Sequence, residues 1–85
     1  MQQTEEKMLQ KKLSELKPGE KATIVKVQGS RALRRRLLDM GVIRGTEIEM
    51  VRKSPLGDPL EFLVKGYNLS LRKTECENVY VEVKP

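Results

Sequence analysis

Short segments in which apolar and polar residues alternate recur along most of this chain. In the last of them, Val79, Val81 and Val83 alternate with Tyr80 and Glu82. Because successive side chains of a strand point to opposite faces of a sheet, this period of two predicts half-buried β-strands. Alternation and β-branched residues together predict strands at 22–27, 47–52, 60–65, 69–72 and 79–83. Five closely spaced strands with Gly- and Pro-rich turns are typical of a small antiparallel β-barrel, whose closure removes exposed strand edges.

One segment with a helical period is inserted after the first strand. Leu33, Leu37 and Met40 fall on one stripe at i, i+4 and i+7, which is the spacing of an amphipathic helix. Ser30 is suited to cap the N-terminus of this helix, and Gly41 lies where a helix ends in the left-handed conformation. The pattern therefore predicts an α-helix at about 30–40.

The N-terminal residues differ in character from the rest of the chain. Residues 1–12 form a polar leader, in which Thr4 is suited to cap a short helix carrying Leu9, Leu13 and Leu16. We expect this extension to pack on the domain through Leu13 and Leu16.

Residues 13–85 are predicted to form the barrel domain, with one helical turn at 73–78 before the last strand. The apolar face of each element gives the expected core, which is listed as Ile24, Val25 or Val27, Leu33, Leu37, Met40, Ile48, Met50, Leu60, Phe62, Val64, Leu69, Leu71, Val79, Val81 and Val83. The strand at 22–27 has two possible inward faces, because Ile24 and Val25 are both apolar.

The composition excludes several classes of function. The 85 residues contain no His and a single Cys, Cys76, so an internal disulfide and a zinc site of His and Cys are excluded. Without His the commonest general base is missing, and no Gly-rich phosphate-binding motif is present, so we expect no enzymatic activity. We also expect no cofactor and no metal site, because Glu75, Cys76 and Glu77 are sequence neighbours that rarely converge on one ion.

The charge of the chain indicates the kind of partner that it binds. Seventeen Lys and Arg against twelve Asp and Glu give a net charge of +5, which suits nucleic acid, a membrane surface or an acidic protein face. No apolar run approaches the ~18 residues of a membrane span, and residues 1–7 lack the apolar core of a signal peptide. The single Cys fits a reducing compartment.

The predicted helix carries a cluster of cations on its outer face. At about 100° per residue, Arg31, Arg34 and Arg35 point away from the apolar stripe and Leu38 falls among them. Arg36 also belongs to this cluster, on the flank of the stripe. This face is either a solvated surface, with Asp39 as a local partner, or a docking face whose guanidinium groups pair with carboxylates or phosphates. An exposed Leu38 would favour docking, since interfaces combine apolar anchors with arginine; burial of Leu38 under the leader or a loop is the alternative.

The loop at 54–59 is a second candidate surface. Leu56 lies at its tip between two prolines, where it either folds back onto the barrel or anchors a partner with a reduced ordering cost. Gly57 and Asp58 are expected to form the turn beside this anchor and to complete the candidate contact. Leu38 and Leu56 could equally serve self-association.

Four segments of the chain, at matching spacings, resemble one known family. They are LSELKPGE at 13–20, RRRLLDMGVIRGT at 34–46, SPLGDPL at 54–60 and LSLR at 69–72. The chain is similar over about 13–83 to FeoA, the small ferrous iron transport protein A of bacteria, whereas the leader at 1–12 has no counterpart in the family pattern.

The resemblance implies an SH3-like β-barrel and a cytoplasmic protein that works with FeoB, the membrane ferrous iron transporter with a cytosolic G-protein domain. The implied role is an accessory or regulatory one in Fe²⁺ uptake, through protein–protein docking and peripheral to the membrane through the partner only. A related SH3-like domain ends the iron-dependent repressors, so a regulatory domain that binds such a repressor or a proline-rich segment is an alternative.

A basic barrel that binds nucleic acid is the other alternative. Such barrels usually add stacking aromatic residues to a basic groove, and only Phe62, Tyr67 and Tyr80 are available, of which Phe62 is predicted to lie in the core. Four carboxylates on the outer strand faces would repel phosphates; they are Glu47, Glu49, Glu61 and Glu82. No nucleic-acid partner is therefore expected.

Overall fold

The computed structural model describes residues 9–83, which form six strands, two short helices and one 3₁₀ turn. The strands are β1 (Leu9–Lys12), β2 (Lys21–Val27), β3 (Glu47–Lys53), β4 (Leu60–Val64), β5 (Tyr67–Leu71) and β6 (Val79–Val83). The helices are α1 (Arg31–Asp39) and α2 (Lys73–Cys76), and the 3₁₀ turn (Leu13–Glu15) follows β1. Within this part of the chain, no helix has the length and apolar character needed to cross a membrane.

The six strands form one antiparallel sheet in the order β1-β6-β2-β3-β4-β5, which confirms the predicted mostly β fold. The expected closure of the barrel by hydrogen bonds between its edge strands does not occur in the described part of the chain. Within residues 9–83, β1 and β5 are the two edges, and no hydrogen-bonded ladder joins them. The 3₁₀ turn after β1 contacts α2 after β5, so packing between these segments brings the ends of the sheet together.

The core lies on the face of the sheet that the alternation predicts. The predicted core residues that are buried are Ile24, Leu37, Ile48, Met50, Leu60, Phe62, Val64, Leu71, Val79, Val81 and Val83, and those partly buried against them are Val27, Leu33, Met40 and Leu69. Leu13 and Leu16 are buried, as expected. Three further core residues were not predicted: Ala22, Val42 and Cys76, which is fully buried.

A β-bulge in β2 decides between the two possible inward faces of that strand. The register against β6 shifts between Ile24 and Lys26, and a bulge of this kind re-aims the side chain beside it. Ile24 is buried in the core and Val27 packs against the core from a partly buried position, whereas Val25 does neither.

The predicted helix forms with the predicted caps. The Ser30 hydroxyl accepts a hydrogen bond from the Leu33 amide at 3.1 Å. At the other end, the amides of Gly41 and Val42 donate to the carbonyls of Leu38 and Leu37 at 3.0 and 2.9 Å, and Gly41 has a φ of +91°. This is the Schellman arrangement of a helix C-terminus, and it turns the chain so that Val42 enters the core.

The helix predicted through Leu9 is wrong for the residues that the structure describes. Residues 9–12 form β1, which pairs with β6 in the register Lys11↔Val81, because backbone pairing along the open edge of β6 outweighs a weak helical preference. Thr4 and the first eight residues of the expected leader, like residues 84–85, lie outside the described residues.

The turn between the strands predicted at 60–65 and 69–72 is shorter than the gap left between them, because β4 ends at Val64 and β5 begins at Tyr67. Lys65 and Gly66 both have positive φ angles, of 51° and 89°, and Tyr67 pairs with Val64 as the first residue of β5. Two consecutive positive φ angles are typical of the two-residue turns whose twist matches that of the strands they join.

Candidate docking surface

Four of the seven predicted contact residues lie together on α1. Arg31, Arg34 and Arg35 are exposed, and Leu38 between them is 55% exposed. All four line one shallow depression of about 400 Å³, together with Asp39. Leu38 is therefore not buried by any described residue. We call Arg31, Arg34, Arg35 and Leu38 the arginine face.

The arginine face is not neutralised by its neighbours. Among the ion pairs of residues 9–83, none involves Arg31, Arg34 or Arg35, and the expected local pairing with Asp39 does not form. Because they form no ion pair within residues 9–83, these guanidinium groups are available for bidentate recognition of a partner's carboxylates.

Arg36, which is next to this cluster in sequence, has a different function. Its guanidinium forms an ion pair with the carboxylate of Glu75 in α2. Glu75 is buried, and its other oxygen accepts from the Arg72 amide at 2.8 Å at the start of α2. Arg36 thus ties α1 to α2 and fixes the orientation of the arginine face.

Leu56 stands clear of the molecule at the tip of the β3–β4 loop. Its side chain is 94% exposed, so it does not fold back onto the barrel. The loop beneath it is closed by hydrogen bonds from the Gly57 amide to the Ser54 carbonyl at 2.8 Å and from the Ser54 hydroxyl to the Pro59 carbonyl at 2.8 Å. A closed loop holds the exposed leucine in place, as an anchor requires.

Gly57 and Asp58 serve the structure of this loop. The Asp58 carboxylate accepts a hydrogen bond from the Lys73 amide at 2.9 Å, which satisfies one of the free donors in the first turn of α2. The depression on the arginine face does not include residues 56–58. The structure therefore presents the predicted contacts as two separate surfaces, with Leu56 as the projecting side chain of the second.

A third feature was not predicted from the sequence. An apolar groove of about 440 Å³ runs between α1, the end of β2 and the segment that follows α1. Its apolar lining consists of Val25, Val27, Leu38, Val42 and Ile43. We call this depression the apolar groove. Through Leu38 it is continuous with the arginine face.

Two hydrogen bonds and the bulge build this groove. The Gly45 amide donates to the Ile24 carbonyl at 2.7 Å, and the Ile24 amide donates to the Thr46 carbonyl at 3.0 Å. They hold the segment after α1 alongside β2, so that Ile43 and the re-aimed Val25 line the same groove. The apolar pair Val42-Ile43 after a helix-ending glycine was the only signal in the sequence, since nothing in the pattern locates the bulge.

The remaining lining of the apolar groove is cationic. Lys26, Arg34 and Arg44 complete it, and none of the described residues that line it carries a carboxylate. We call these three cations the groove rim. An apolar floor with a rim of one charge sign selects partners that carry the opposite sign.

The described residues offer little to a metal ion. Within residues 9–83, no three Cys, Asp or Glu side chains lie close enough to hold one. Burial, together with the neighbouring carboxylates of Glu75, Asp58 and Glu77, raises the pKa of the Cys76 thiol to about 12. The thiolate, which is the metal-binding form of cysteine, is therefore strongly disfavoured at this position.

Comparison with known proteins identifies the family. The family model of the FeoA domain matches residues 11–83. The chain belongs to the FeoA family. This FeoA domain covers every described element except the first two residues of β1.

Relatives of this FeoA domain share both its sequence and its fold. A Porphyromonas gingivalis fusion protein of Fe(2+) transport protein A and the Fe(2+) transporter FeoB is 40% identical over 72 residues, which are 85% of this chain and 8% of that protein. The FeoA protein of Chlorobium tepidum is 42% identical, with a TM-score of 0.81 over 86% of this chain and 70% of that one. The Stenotrophomonas maltophilia FeoA, described as a prokaryotic SH3 domain protein in complex with zinc, is 36% identical, with a TM-score of 0.68 over 81% and 86% of the two chains.

These relatives link the domain to ferrous iron transport and confirm the SH3-like fold. The chain spans only a small part of the fusion protein, so the activity of that whole protein is not carried over with the domain.

Proposed function

We propose that this chain is a cytoplasmic accessory protein of ferrous iron uptake that docks to the cytosolic side of a FeoB transporter and acts by binding rather than by catalysis. The observation that carries the proposal is the fusion relative, in which a domain 40% identical to this chain is part of the same polypeptide as FeoB. Covalent linkage gives two domains a high effective concentration for each other. A separate chain needs a surface with affinity of its own.

The arginine face and Leu56 supply such a surface. Three guanidinium groups that form no ion pair within residues 9–83 surround a half-exposed leucine. They combine charge recognition with an apolar anchor, the combination found at binding hot spots. Leu56 offers a second anchor on a closed loop. FeoB is the partner, and Asp and Glu side chains on its cytosolic domain are the groups that the arginines pair with.

Docking regulates transport only if it distinguishes two states of the transporter. A ligand shifts an equilibrium by its difference in affinity for the two states and by nothing else. We expect the domain to bind the GTP-like and GDP-like forms of the FeoB G-domain with unequal affinity. Equal affinities would remove nucleotide control from the proposal while leaving docking intact.

The test is direct binding of the purified chain to its detergent-solubilised FeoB partner. The informative variant is Arg34→Glu with Arg35→Glu, which reverses two charges of the arginine face. Its matched control is Lys17→Glu with Lys53→Glu, two exposed cations outside both candidate surfaces. Each double substitution changes the charge by four units, from +5 to +1, so that the two variants differ only in where the charge is reversed.

We expect saturable binding by the original chain and by the control, and binding weakened about tenfold or more by the arginine-face variant. Equal loss in both variants would assign the effect to net charge rather than to this surface. Absence of binding by the folded original chain in either nucleotide state would refute the proposed function.

A further inference from the structure

We infer that the apolar groove binds an acidic amphipathic segment of the transporter, a stretch of polypeptide with apolar side chains on one face and Asp or Glu along its flanks. The inference rests on the proposed function and names the chemistry that the partner presents. It concerns a surface different from the outer arginine face, because most of its lining comes from β2 and from the residues after α1.

The floor of the groove consists of apolar side chains that the fold leaves partly uncovered. Val42 is buried beneath, whereas Leu38 and Ile43 are 55% and 36% exposed on either side. Val25 adds a third partly exposed apolar side chain because the bulge turns it away from the core. A chain of this size has few apolar residues to spare from its core, and a continuous uncovered set of them marks an interaction site.

The rim determines the charge of the occupant. Lys26, Arg34 and Arg44 surround the floor without a neighbouring carboxylate in the lining, and none of the three takes part in an ion pair among residues 9–83. A basic or neutral apolar segment would leave these cations desolvated and unpaired, which is costly, whereas carboxylates on the flanks of the segment would pair with them.

The shape of the groove favours a polypeptide over a lipid surface. Val42 in its lining is only 2% exposed, so this part of the lining is recessed. A bilayer surface engages residues that protrude, as interfacial helices do, whereas a narrow amphipathic segment inserts its apolar side chains into a recess. The occupant is therefore a single segment of the partner.

Two model peptides test the chemistry separately from the transporter. Both are helical and carry Leu at i, i+4 and i+7; one has Glu at the flanking positions and the other has Lys. In NMR titrations of the intact chain, we expect the Leu/Glu peptide to shift the amide signals of 25–27 and 42–45 and the Leu/Lys peptide to bind about tenfold more weakly. The variant Lys26→Glu with Arg44→Glu should reverse this preference, which a merely structural effect of the substitutions would not do.

Vesicles of anionic phospholipid provide the contrasting probe. If they shift the same signals and the Leu/Glu peptide does not, the groove is a lipid site and the inference is wrong. Equal binding of both peptides, or binding of neither, would also overturn it, because the rim would then have no part in selection.

Binding measurements with FeoB itself separate this inference from the proposed function. We expect Lys26→Glu with Arg44→Glu to weaken FeoB binding about tenfold, with Arg34 and Arg35 left intact. If this variant binds FeoB as tightly as the original chain, docking stands and the groove is not its site. If the original chain itself does not bind FeoB, the proposed function fails, whatever the peptides do.

Discussion

Leu37 and Leu38 are adjacent residues of α1 with opposite surroundings. Leu37 is fully buried in the core and Leu38 is mostly exposed on the arginine face. Replacing a buried Leu by Ala removes apolar contacts and leaves a cavity, so we expect Leu37→Ala to lower the free energy of unfolding by about 2–5 kcal/mol. Leu38→Ala should change it by no more than about 0.5 kcal/mol, as urea denaturation of the two variants would show.

Leu38→Ala also tests docking separately from stability. Leu38→Ala should weaken binding to FeoB although the domain remains as stable as the original. A large loss of stability in Leu38→Ala would show that this side chain belongs to the core and would remove it from the arginine face.

Cys76 gives a prediction about pH. Its pKa is raised from 9.0 to about 12 by burial and by nearby carboxylates, so the folded state retains the thiol proton at pH values where the unfolded chain releases it. Between about pH 9 and 12 the unfolded state therefore binds fewer protons, and the free energy of unfolding falls as the pH rises, by at most ~1.4 kcal/mol per pH unit from this group. Below pH 9 this group contributes no slope.

The measurement compares the original chain with Cys76→Ala in urea at several pH values. Because every other titratable group is common to the two proteins, the difference between the two curves isolates the thiol. We expect the original chain to lose more stability than the variant between pH 9 and 11. Parallel curves would mean that the thiol is not shielded. In the folded protein at pH 8, a thiol reagent should react only as fast as the chain unfolds.

At the level of single residues, the sequence predicted which way a helical side chain points. It did not predict which residues far along the chain a side chain contacts. The helical angle placed Leu38 among the arginines, because that angle depends only on the period of the helix. It could not show that Asp58 accepts from the Lys73 amide, fifteen residues further along the chain. Asp58 is therefore predicted as a contact residue beside Leu56 without this hydrogen bond being foreseen, and the contact itself stays a prediction.

Among the elements, the ion pair between Arg36 and Glu75 connects α1 with α2. Glu75 is buried and Arg36 is about half exposed, so solvent screens the pair in part. In a double-mutant cycle with Arg36→Gln and Glu75→Gln, we expect a coupling of about 0.5–1 kcal/mol in the free energy of unfolding. Gln at 75 can still accept from the Arg72 amide, so the cap of α2 is retained.

The cycle also tests how the arginine face is oriented. Additive effects of the two substitutions on stability would mean that the pair does not connect the helices. With a measurable coupling, Arg36→Gln should also weaken FeoB binding modestly, since α1 would be held less firmly against the domain.

The elements that the sequence predicted are those with a strong local signal. The period of two located β3 to β6, the β-branched residues located β2, and the caps at Ser30 and Gly41 located α1. β1 was missed because its four residues carry no alternation and depend on the free edge of β6 for pairing. The bulge in β2 was missed for the same kind of reason, since it is defined by the register against β6. Without the bulge, neither the outward direction of Val25 nor the apolar groove could be foreseen.

For the whole molecule, the charge is divided between unlike surfaces. Around α1 and the groove rim, Arg31, Arg34, Arg35 and Arg44 are exposed. The outer side of the sheet carries carboxylates interspersed with cations such as Lys21 and Arg52; the carboxylates are Glu47, Glu49, Glu61 and Glu82. A compact cationic patch suits a compact acidic protein surface, whereas a nucleic-acid strand needs a continuous basic track.

The compact cationic patch therefore predicts that this protein binds an acidic protein surface in preference to RNA. Phe62 is fully buried in the core, so it cannot stack on bases, and of the two tyrosines Tyr67 is the exposed one. In fluorescence anisotropy with a mixed-sequence single-stranded RNA at about 0.15 M salt, we expect no saturable binding at protein concentrations that saturate FeoB. Weak binding at lower salt should disappear steeply with added salt and should be equal for the arginine-face variant and its lysine control, as expected for net charge alone. Saturable RNA binding at that salt, lost only in the arginine-face variant, would instead show that this surface binds nucleic acid. That result would contradict the predicted selectivity for protein.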